Sequence, residues 1–256
     1  MKPNISIILN CYNGSKYLAE CLDSIKKQNY RNFELIFWDN CSTDHSKKIF
    51  KTYKDKRFKY FKSKKNTILS KARNLASKKA RGDWLAFIDC DDIWYPNKLT
   101  EFKNFFHIKN MGVLFSDYYI LENKKLIKSK KKIKLNYFKN ILKENYIFFS
   151  TVLIKKKYFF KVGMCDETLQ HAEDYDILLK ILKKYDGHFV NKQLIKYRVH
   201  DNNQSKKYKI ESINESIYLL YKYKDNIEAL EGLAKLILVL SYYFIKLKWK
   251  QLKKIL

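Results

Sequence analysis

Short apolar runs alternate with amphipathic stretches through the first third of the chain. Residues 5–9 (ISIIL), 33–38 (FELIFW) and 84–88 (WLAFI) are nearly continuous in hydrophobic character, the pattern of parallel strands covered on both faces. Between the first two, residues 15–28 (SKYLAECLDSIKKQ) bring Tyr17, Leu18, Cys21, Leu22 and Ile25 onto one helical face, with Ser15 placed as the amino-terminal cap. The pattern predicts further helices over about 43–54 and over 70–80. Alternation of this kind argues for an α/β fold with a doubly wound open sheet and right-handed crossovers.

After Pro96 the pattern is mixed, with strands predicted over 113–121, 147–154 and 189–199 and helices near 135–144 and 172–184. These complete the sheet and supply a second wall for a site. From about residue 206 the chain reads as helical and basic, which divides it into a main α/β unit, 1–205, and a helical extension, 206–256. Within the extension the uncharged stretch runs only from Leu236 to Ile245, short of the roughly 20 residues that cross a bilayer. Two readings stand side by side: an amphipathic helix on an anionic membrane surface, with Tyr242, Tyr243 and Trp249 at the interface, or a helix packed on the main unit.

In open α/β sheets the ligand site lies beyond the carboxyl ends of the strands. Here those ends are polar: NCYN (10–13), DNCSTD (39–44) and DCDD (89–92). The last is out of character with the whole, because 53 Lys and Arg face only 26 Asp and Glu. Such an excess fits contact with a polyanion or an anionic surface, and it equally fits solvated lysine-rich faces. The five cysteines are odd in number and lack a C-x-x-C pair, so no disulfide framework or zinc ribbon is indicated and a reducing cytoplasm is the default. The amino terminus reads as a first strand and not as a signal peptide.

Asp89 and Asp91, two apart where a strand yields to a loop, can converge on one hard divalent cation, and oxygen ligands suit Mg2+ or Mn2+. Such a cation would bridge to phosphate oxygens. The alternative is an acidic strand end capping the next helix, through Asp92 or Asn97 with Pro96 near its first turn. The glycine and terminal glutamate of an EF-hand loop are absent.

Other segments follow in a telling order: SIILNCYN, WDNCSTD, KARN after Asn66, GDWLAFIDCDDIWYPNKL, GMCDE (163–167), HAEDYDILLKIL (171–182) and YRVHDNNQS (197–205). This ordered set, over residues 5–205, resembles the family 2 glycosyltransferases, inverting enzymes that use nucleotide sugars. The resemblance implies a GT-A fold, a Rossmann-like mixed sheet flanked by helices, with the helical extension following it.

The same resemblance implies roles. Asp39 is similar to the carboxylate that accepts the imide N–H of a uridine nucleotide, with Tyr12 against the base; its alternative is a loop cap ahead of Ser42 and Thr43. Asp91 resembles the direct ligand of Mn2+ or Mg2+, Asp89 a contact to ribose or to metal-bound water, and Asp92 a support behind them. Arg73 resembles a cation near the nucleotide, which is compatible with a salt bridge to Asp89. Asp174 resembles the general base and Glu173 a donor-site contact, although carboxylates at a helix start are also favoured by the helix dipole alone. His200 resembles a metal or diphosphate contact from the far wall, with a structural histidine as the alternative. Arg198 pairs with a carboxylate or phosphate or packs by its stem, and Trp94 offers a sugar platform or fills the core. The family's usual glycine two residues after Asn66 is Ile68 here, which bears on the shape of that loop.

The expected partners are a nucleotide-sugar donor, UDP-linked, a glycan or lipid-linked acceptor of cell-surface polysaccharide assembly, and an anionic membrane surface. The expected location is the cytoplasm, peripheral on the inner face of the membrane. A nucleotidyltransferase is the competing enzyme, but its Gly-rich, Arg-containing phosphate loop is missing near the amino terminus. A basic nucleic-acid binder would suit charge and aromatics, but the acidic crevice repels phosphates unless a cation fills it, so no nucleic acid is expected.

Overall fold

A computed structural model of the chain describes residues 2–129 and 135–252, with side chains described to Ile245; Trp249 and the basic residues 130–134 therefore lie outside what is described of side chains. Four parallel strands form one half of the sheet: β1 (Ile5–Cys11), β2 (Phe33–Asp39), β3 (Phe58–Lys62) and β4 (Trp84–Asp89). The other half comprises β5 (Ile93–Trp94), β6 (Met111–Glu122), β7 (Lys125–Lys128), β8 (Leu153–Lys155) and β9 (Asp186–Val199). Among the described residues the order is β3-β2-β1-β4-β8-β6-β9-β5, with β7 beside β6. The sheet is mixed, because β8 runs antiparallel to both β4 and β6 while β9 runs parallel to β6.

The connections include α1 (Ser15–Lys26), α2 (Ser46–Thr52), α3 (Leu69–Lys79), α4 (Lys98–Lys103), α5 (Tyr137–Lys143), α6 (Lys156–Lys161) and α7 (Glu173–Leu182). The tail forms α8 (Gln204–Lys207), α9 (Lys209–Tyr221) and α10 (Ile227–Leu252). Strand alternation divides the core into two layers. Ile5, Ile7 and Leu9 of β1 meet Leu18, Leu22 and Ile25 of α1, while Ile8 points to the opposite layer with Ala72 and Ala76 of α3 and Leu178 of α7. Leu219, Leu220 and Ala229 of the tail are buried in that second layer.

Three local expectations change. Gly14, not Ser15, holds the cap position of α1, and the Ser15 N–H is met from another loop by Asp44 Oδ2 at 2.9 Å. A side chain at Gly14 would collide, since an added Cβ would sit 2.6 Å from Cys90 Sγ and 2.9 Å from Cys11 Sγ. The strand expected over 147–154 is interrupted by a 3-10 turn, Phe149–Thr151, leaving only its last residues as strand, in β8. That turn is used: Ser150 Oγ accepts the Asp89 N–H at 3.1 Å, and the Ser150 carbonyl accepts from Trp94 Nε1 at 3.2 Å. Asn97 holds the cap position of α4, one of the two residues expected there, but not through its side chain, whose Nδ2 donates to Glu101, and Asp92 Oδ1 accepts the Arg198 N–H instead of capping.

Candidate active site

The parallel half of the sheet brings the polar strand ends together by register. Asp39 at the end of β2 stands opposite Cys11 of β1, and Asp89 at the end of β4 stands opposite Asn10. The loops beyond are laced to one another. Asn13 Oδ1 accepts the Thr43 N–H at 2.9 Å, Ser42 Oγ accepts the Asn13 N–H and Ser46 Oγ accepts the Gly14 N–H, each at 3.1 Å. Tyr12, half exposed at 50%, projects from this edge.

Asp39 is buried, and both its oxygens are engaged. Oδ1 accepts the Ser42 N–H at 2.7 Å, the loop-cap contact, and Oδ2 accepts the Tyr60 hydroxyl. Burial and then the Asp39 charge push the Tyr60 phenol well up, so it stays a donor. The Asn66 loop is held by Asn40, whose Nδ2 donates to Asn66 Oδ1 at 2.8 Å and to the Thr67 carbonyl at 2.6 Å. Ile68 sits there at φ −61 and ψ 155, extended backbone that a β-branched residue adopts freely, so the loop does not require glycine at this position.

Arg73 of α3 is the centre of a buried ion network. Its Nη1 donates to Glu173 Oε1 at 2.5 Å and its Nη2 to Asp89 Oδ1 at 3.3 Å, while the guanidinium lies 4.4 Å over the Phe149 ring. Burial works against the Arg73 charge, but the charges of Glu173, Asp89 and Asp174 outweigh it and hold its pKa up. Glu173 is itself buried and faces Arg73 rather than the open crevice; burial pushes its carboxyl up, and the Arg73 charge pulls it back. Asp174, next on α7, is only partly covered, and its Oδ1 accepts the Tyr175 N–H at 2.7 Å. Burial raises the Asp174 carboxyl above its ordinary range against the pull of Arg73, and the Asp89 charge adds to the rise.

On the far wall β9 closes over the acidic loop. The Arg198 N–H donates to Asp92 Oδ1 at 3.0 Å, and Arg198 Nε donates to the Asp91 carbonyl at 2.9 Å. Arg198 Nη2 reaches Glu20 at 2.9 Å, and its guanidinium lies 4.6 Å over the Tyr17 ring. This seats His200, which stacks on Tyr17 at 4.9 Å and places Nε2 3.0 Å from Asp91 Oδ2. Asn203 steadies it by accepting the His200 N–H through Oδ1 and placing Nδ2 3.4 Å from Asp91 Oδ2. Burial, then the Asp89 charge, raise the Asp91 carboxyl. Asp92 is pushed up further, by burial and by Asp91 and Asp89, and its buried Oδ2 has no hydrogen-bond partner among the described residues.

Asp91 Oδ2 and His200 Nε2 are donor atoms of kinds that divalent cations take, the carboxylate being the one that suits a hard cation. In this structure the two side chains bond each other, His200 Nε2 lying 3.0 Å from Asp91 Oδ2, and a divalent cation held there would take these two atoms in place of that bond. Among the described residues no three acidic, histidine or cysteine groups form a metal cage. A cation held by one or two protein ligands and completed by phosphate and water is the usual arrangement for Mg2+.

The sugar-platform alternative for Trp94 does not hold: its ring is buried, with Lys98 Nζ 4.8 Å from its centroid, and it fills the core. Three contributors escaped the sequence reading. Tyr60 lies on β3, whose Lys-rich edge-strand sequence (FKYFK) hid its alternation. Asn203 follows His200 in a turn. Glu215 lies on α9, in the extension, where its two oxygens accept the N–H groups of Gln170, His171 and Ala172 at 3.0, 2.8 and 2.9 Å. Ser212 Oγ donates to the His171 carbonyl at 3.2 Å, and Tyr208 stacks on His171 at 4.7 Å. The extension thereby holds the segment that leads into Glu173 and Asp174. Glu215→Ala should cost about 1–3 kcal/mol by orphaning those donors, with Glu215→Gln milder because one acceptor oxygen remains; urea unfolding midpoints of the two variants would check this.

The family model for glycosyl transferase family 2 matches residues 6–165. The chain belongs to this family. An uncharacterized glycosyltransferase of Rickettsia typhi is 32% identical over 210 residues, covering 78% of this chain and 65% of that protein. The chain thus spans less than two thirds of that relative, and 38% of a Rickettsia felis one. An Escherichia coli relative, UDP-Glc:alpha-D-GlcNAc-diphosphoundecaprenol beta-1,3-glucosyltransferase WfgD, is 29% identical, with 95% of this chain and 94% of that protein covered. In fold, the chain is similar to a mannosyltransferase of Pyrobaculum calidifontis solved with GDP-Man and Mn2+, at 16% identity and a TM-score of 0.69, covering 94% of this chain and 70% of that one. The fold of this family 2 glycosyltransferase is GT-A, and the nucleotidyltransferase and nucleic-acid readings give way to it. The family match ends at residue 165, so Asp174, His200, Asn203 and Glu215 lie beyond it.

Proposed function

We propose that the protein is an inverting glycosyltransferase that moves a sugar from a UDP-linked donor to a glycan or lipid-linked acceptor in cell-surface polysaccharide assembly. The observation that carries this reading is the convergence of Asp89, Asp91 and His200 with Arg73 and the Glu173–Asp174 turn at the carboxyl edge of the sheet. The name of WfgD, which pairs a UDP-linked glucose with a diphosphoundecaprenol acceptor, supports the donor and acceptor classes. In this reading 1–205 forms the catalytic unit and 206–256 an extension that braces it.

Asp39 and Tyr12 hold the uracil, Asp39 accepting its imide N–H in the place now taken by Tyr60 or Ser42. Asp91 and His200 hold Mn2+ or Mg2+, and Asp89, oriented by Arg73, faces the ribose. Bound there, the cation supplies positive charge to the departing diphosphate. Glu173 fixes Arg73 and thereby the donor wall. Asp174 stands where the acceptor hydroxyl arrives and removes its proton as the hydroxyl attacks the anomeric carbon from the face opposite the diphosphate. Its raised pKa makes it a better proton acceptor than an ordinary carboxylate.

The test is release of nucleoside diphosphate from a panel of nucleotide sugars with Mn2+ and lipid-diphosphate or glycan acceptors. Acceptor-dependent release of UDP is expected; release from none of the panel would count against the reading. Asp91→Asn should weaken metal-dependent donor binding by at least roughly tenfold, since a charged ligand becomes neutral, and calorimetry with UDP and Mn2+ would read it.

A further inference from the structure

In α10 the inward face is fixed by close packing: an added Cβ at Gly232 would meet the Leu142 carbonyl at 2.1 Å, and Ala229 is buried in the core. The opposite face is apolar and open to solvent. Leu230, Ile237, Leu238, Tyr242 and Ile245 recur at helical spacing along it, with Leu238 71% and Ile245 59% exposed. A helix that turns an apolar stripe outward needs a partner.

Charge indicates which partner. The two carboxylates of α10 are each paired with a lysine of α5, Glu228 with Lys139 at 3.1 Å and Glu231, seven residues before Leu238 and so near the same face, with Lys143 at 2.9 Å. Lys235 is exposed on the helix, Lys222 and Lys224 lie 4.4 and 4.8 Å over the exposed rings of Tyr218 and Tyr221, and residues 246–256 carry five lysines and no acid. A second copy of a chain with net charge +27 would be repelled, whereas an anionic bilayer satisfies stripe and lysines together. Among the described residues no helix is long and apolar enough to cross a membrane, so association with a bilayer would be at its surface.

We propose that the outward face of α10 docks the protein on an anionic lipid bilayer, with Leu238 and Ile245 buried among acyl chains and the lysines at the headgroups. The docked helix adjoins the acceptor side, because α10 packs on α9 and α9 grips the 170–172 segment through Glu215. This rests on the reading of a lipid-linked acceptor and deepens it: the substrate and Asp174 would meet at one membrane face.

The experiment is co-sedimentation of the full chain with vesicles of phosphatidylglycerol and phosphatidylcholine, against vesicles of phosphatidylcholine alone. Wild type is expected to bind the anionic vesicles and to weaken by roughly tenfold or more on raising salt from 0.1 to 0.5 M. Leu238→Glu/Ile245→Glu should lose at least roughly tenfold in partition, and Lys235→Glu a few-fold, both with unchanged circular dichroism and unchanged UDP–Mn2+ binding. Absence of vesicle binding, equal binding to neutral vesicles, unchanged binding by the double variant, or a concentration-dependent dimer that the double variant abolishes would overturn the proposal. Because calorimetry with UDP reads the donor site separately, docking can fail while the donor reading stands, and the reverse.

Discussion

Asp174→Asn should lower sugar transfer by roughly 10²–10⁴-fold, the contribution of a positioned general base, while binding of nucleotide and metal stays nearly unchanged. The asymmetry follows from place. Asp174 makes its own local contact with the Tyr175 N–H, which an asparagine oxygen also accepts, so the α7 turn survives the change. The wild-type pH profile should carry the same signature. Only the ionised carboxylate accepts a proton, and burial raises its pKa above the ordinary carboxylate value. Activity should therefore climb with pH through a midpoint above the ordinary aspartate range, and the residual activity of Asp174→Asn should lack that limb. The linkage to stability has the opposite sense: a carboxyl raised on folding favours the folded state while protonated, and that contribution is lost as pH rises through the folded pKa. Steady-state rates and calorimetry on the two proteins across pH check all three statements.

Arg73→Ala should be the most damaging change to stability. Arg73 and Glu173 are both about 4% exposed and hydrogen-bonded to one another, so deleting the guanidinium strands a buried carboxyl and costs about 3–5 kcal/mol. For a chain of this size that lowers Tm by on the order of 10 °C. Arg73→Lys should not rescue it, because a single ammonium cannot reach both Glu173 and Asp89 as the guanidinium fork does. The double change Arg73→Met/Glu173→Met should recover most of the loss, since well-packed apolar replacements of a buried pair cost little. Thermal unfolding of the three variants decides this, and a small effect of Arg73→Ala would mean that the pair is far better solvated than its burial indicates.

The parallel half of the sheet and its polar edge were legible because buried strands write themselves as unbroken apolar runs, and β1, β2 and β4 do so. The second half was less so. Residues 147–154 read as a strand from their apolar content, yet Ser150 and Thr151 find better hydrogen bonds in a turn, and that turn braces Asp89. The edge strand β3 escaped because its lysines break the apolar run, and with it went Tyr60, the hydroxyl on Asp39. Asp39, Asp89, Asp91, Arg73 and His200 were each nameable as residues, but the partnership of Arg73 with Glu173 spans 100 positions and that of Asp91 with His200 spans 109. Only the packing of α3 on α7 and of β9 over the acidic loop creates them. Glu215 had no signal at all: a lone glutamate on a tail helix acquires its role from three backbone N–H groups that happen to converge on it.

In the proposed reading the acidic mouth of the sheet binds a uridine diphosphate through a divalent cation. Titration calorimetry of UDP into the intact chain, with Mn2+ and then with excess chelator, addresses it most directly. Saturable one-to-one binding with the cation, abolished by the chelator and by Asp91→Asn, is the expected result; a folded protein that takes up no UDP in either condition, or takes it up equally well without the cation, would contradict it.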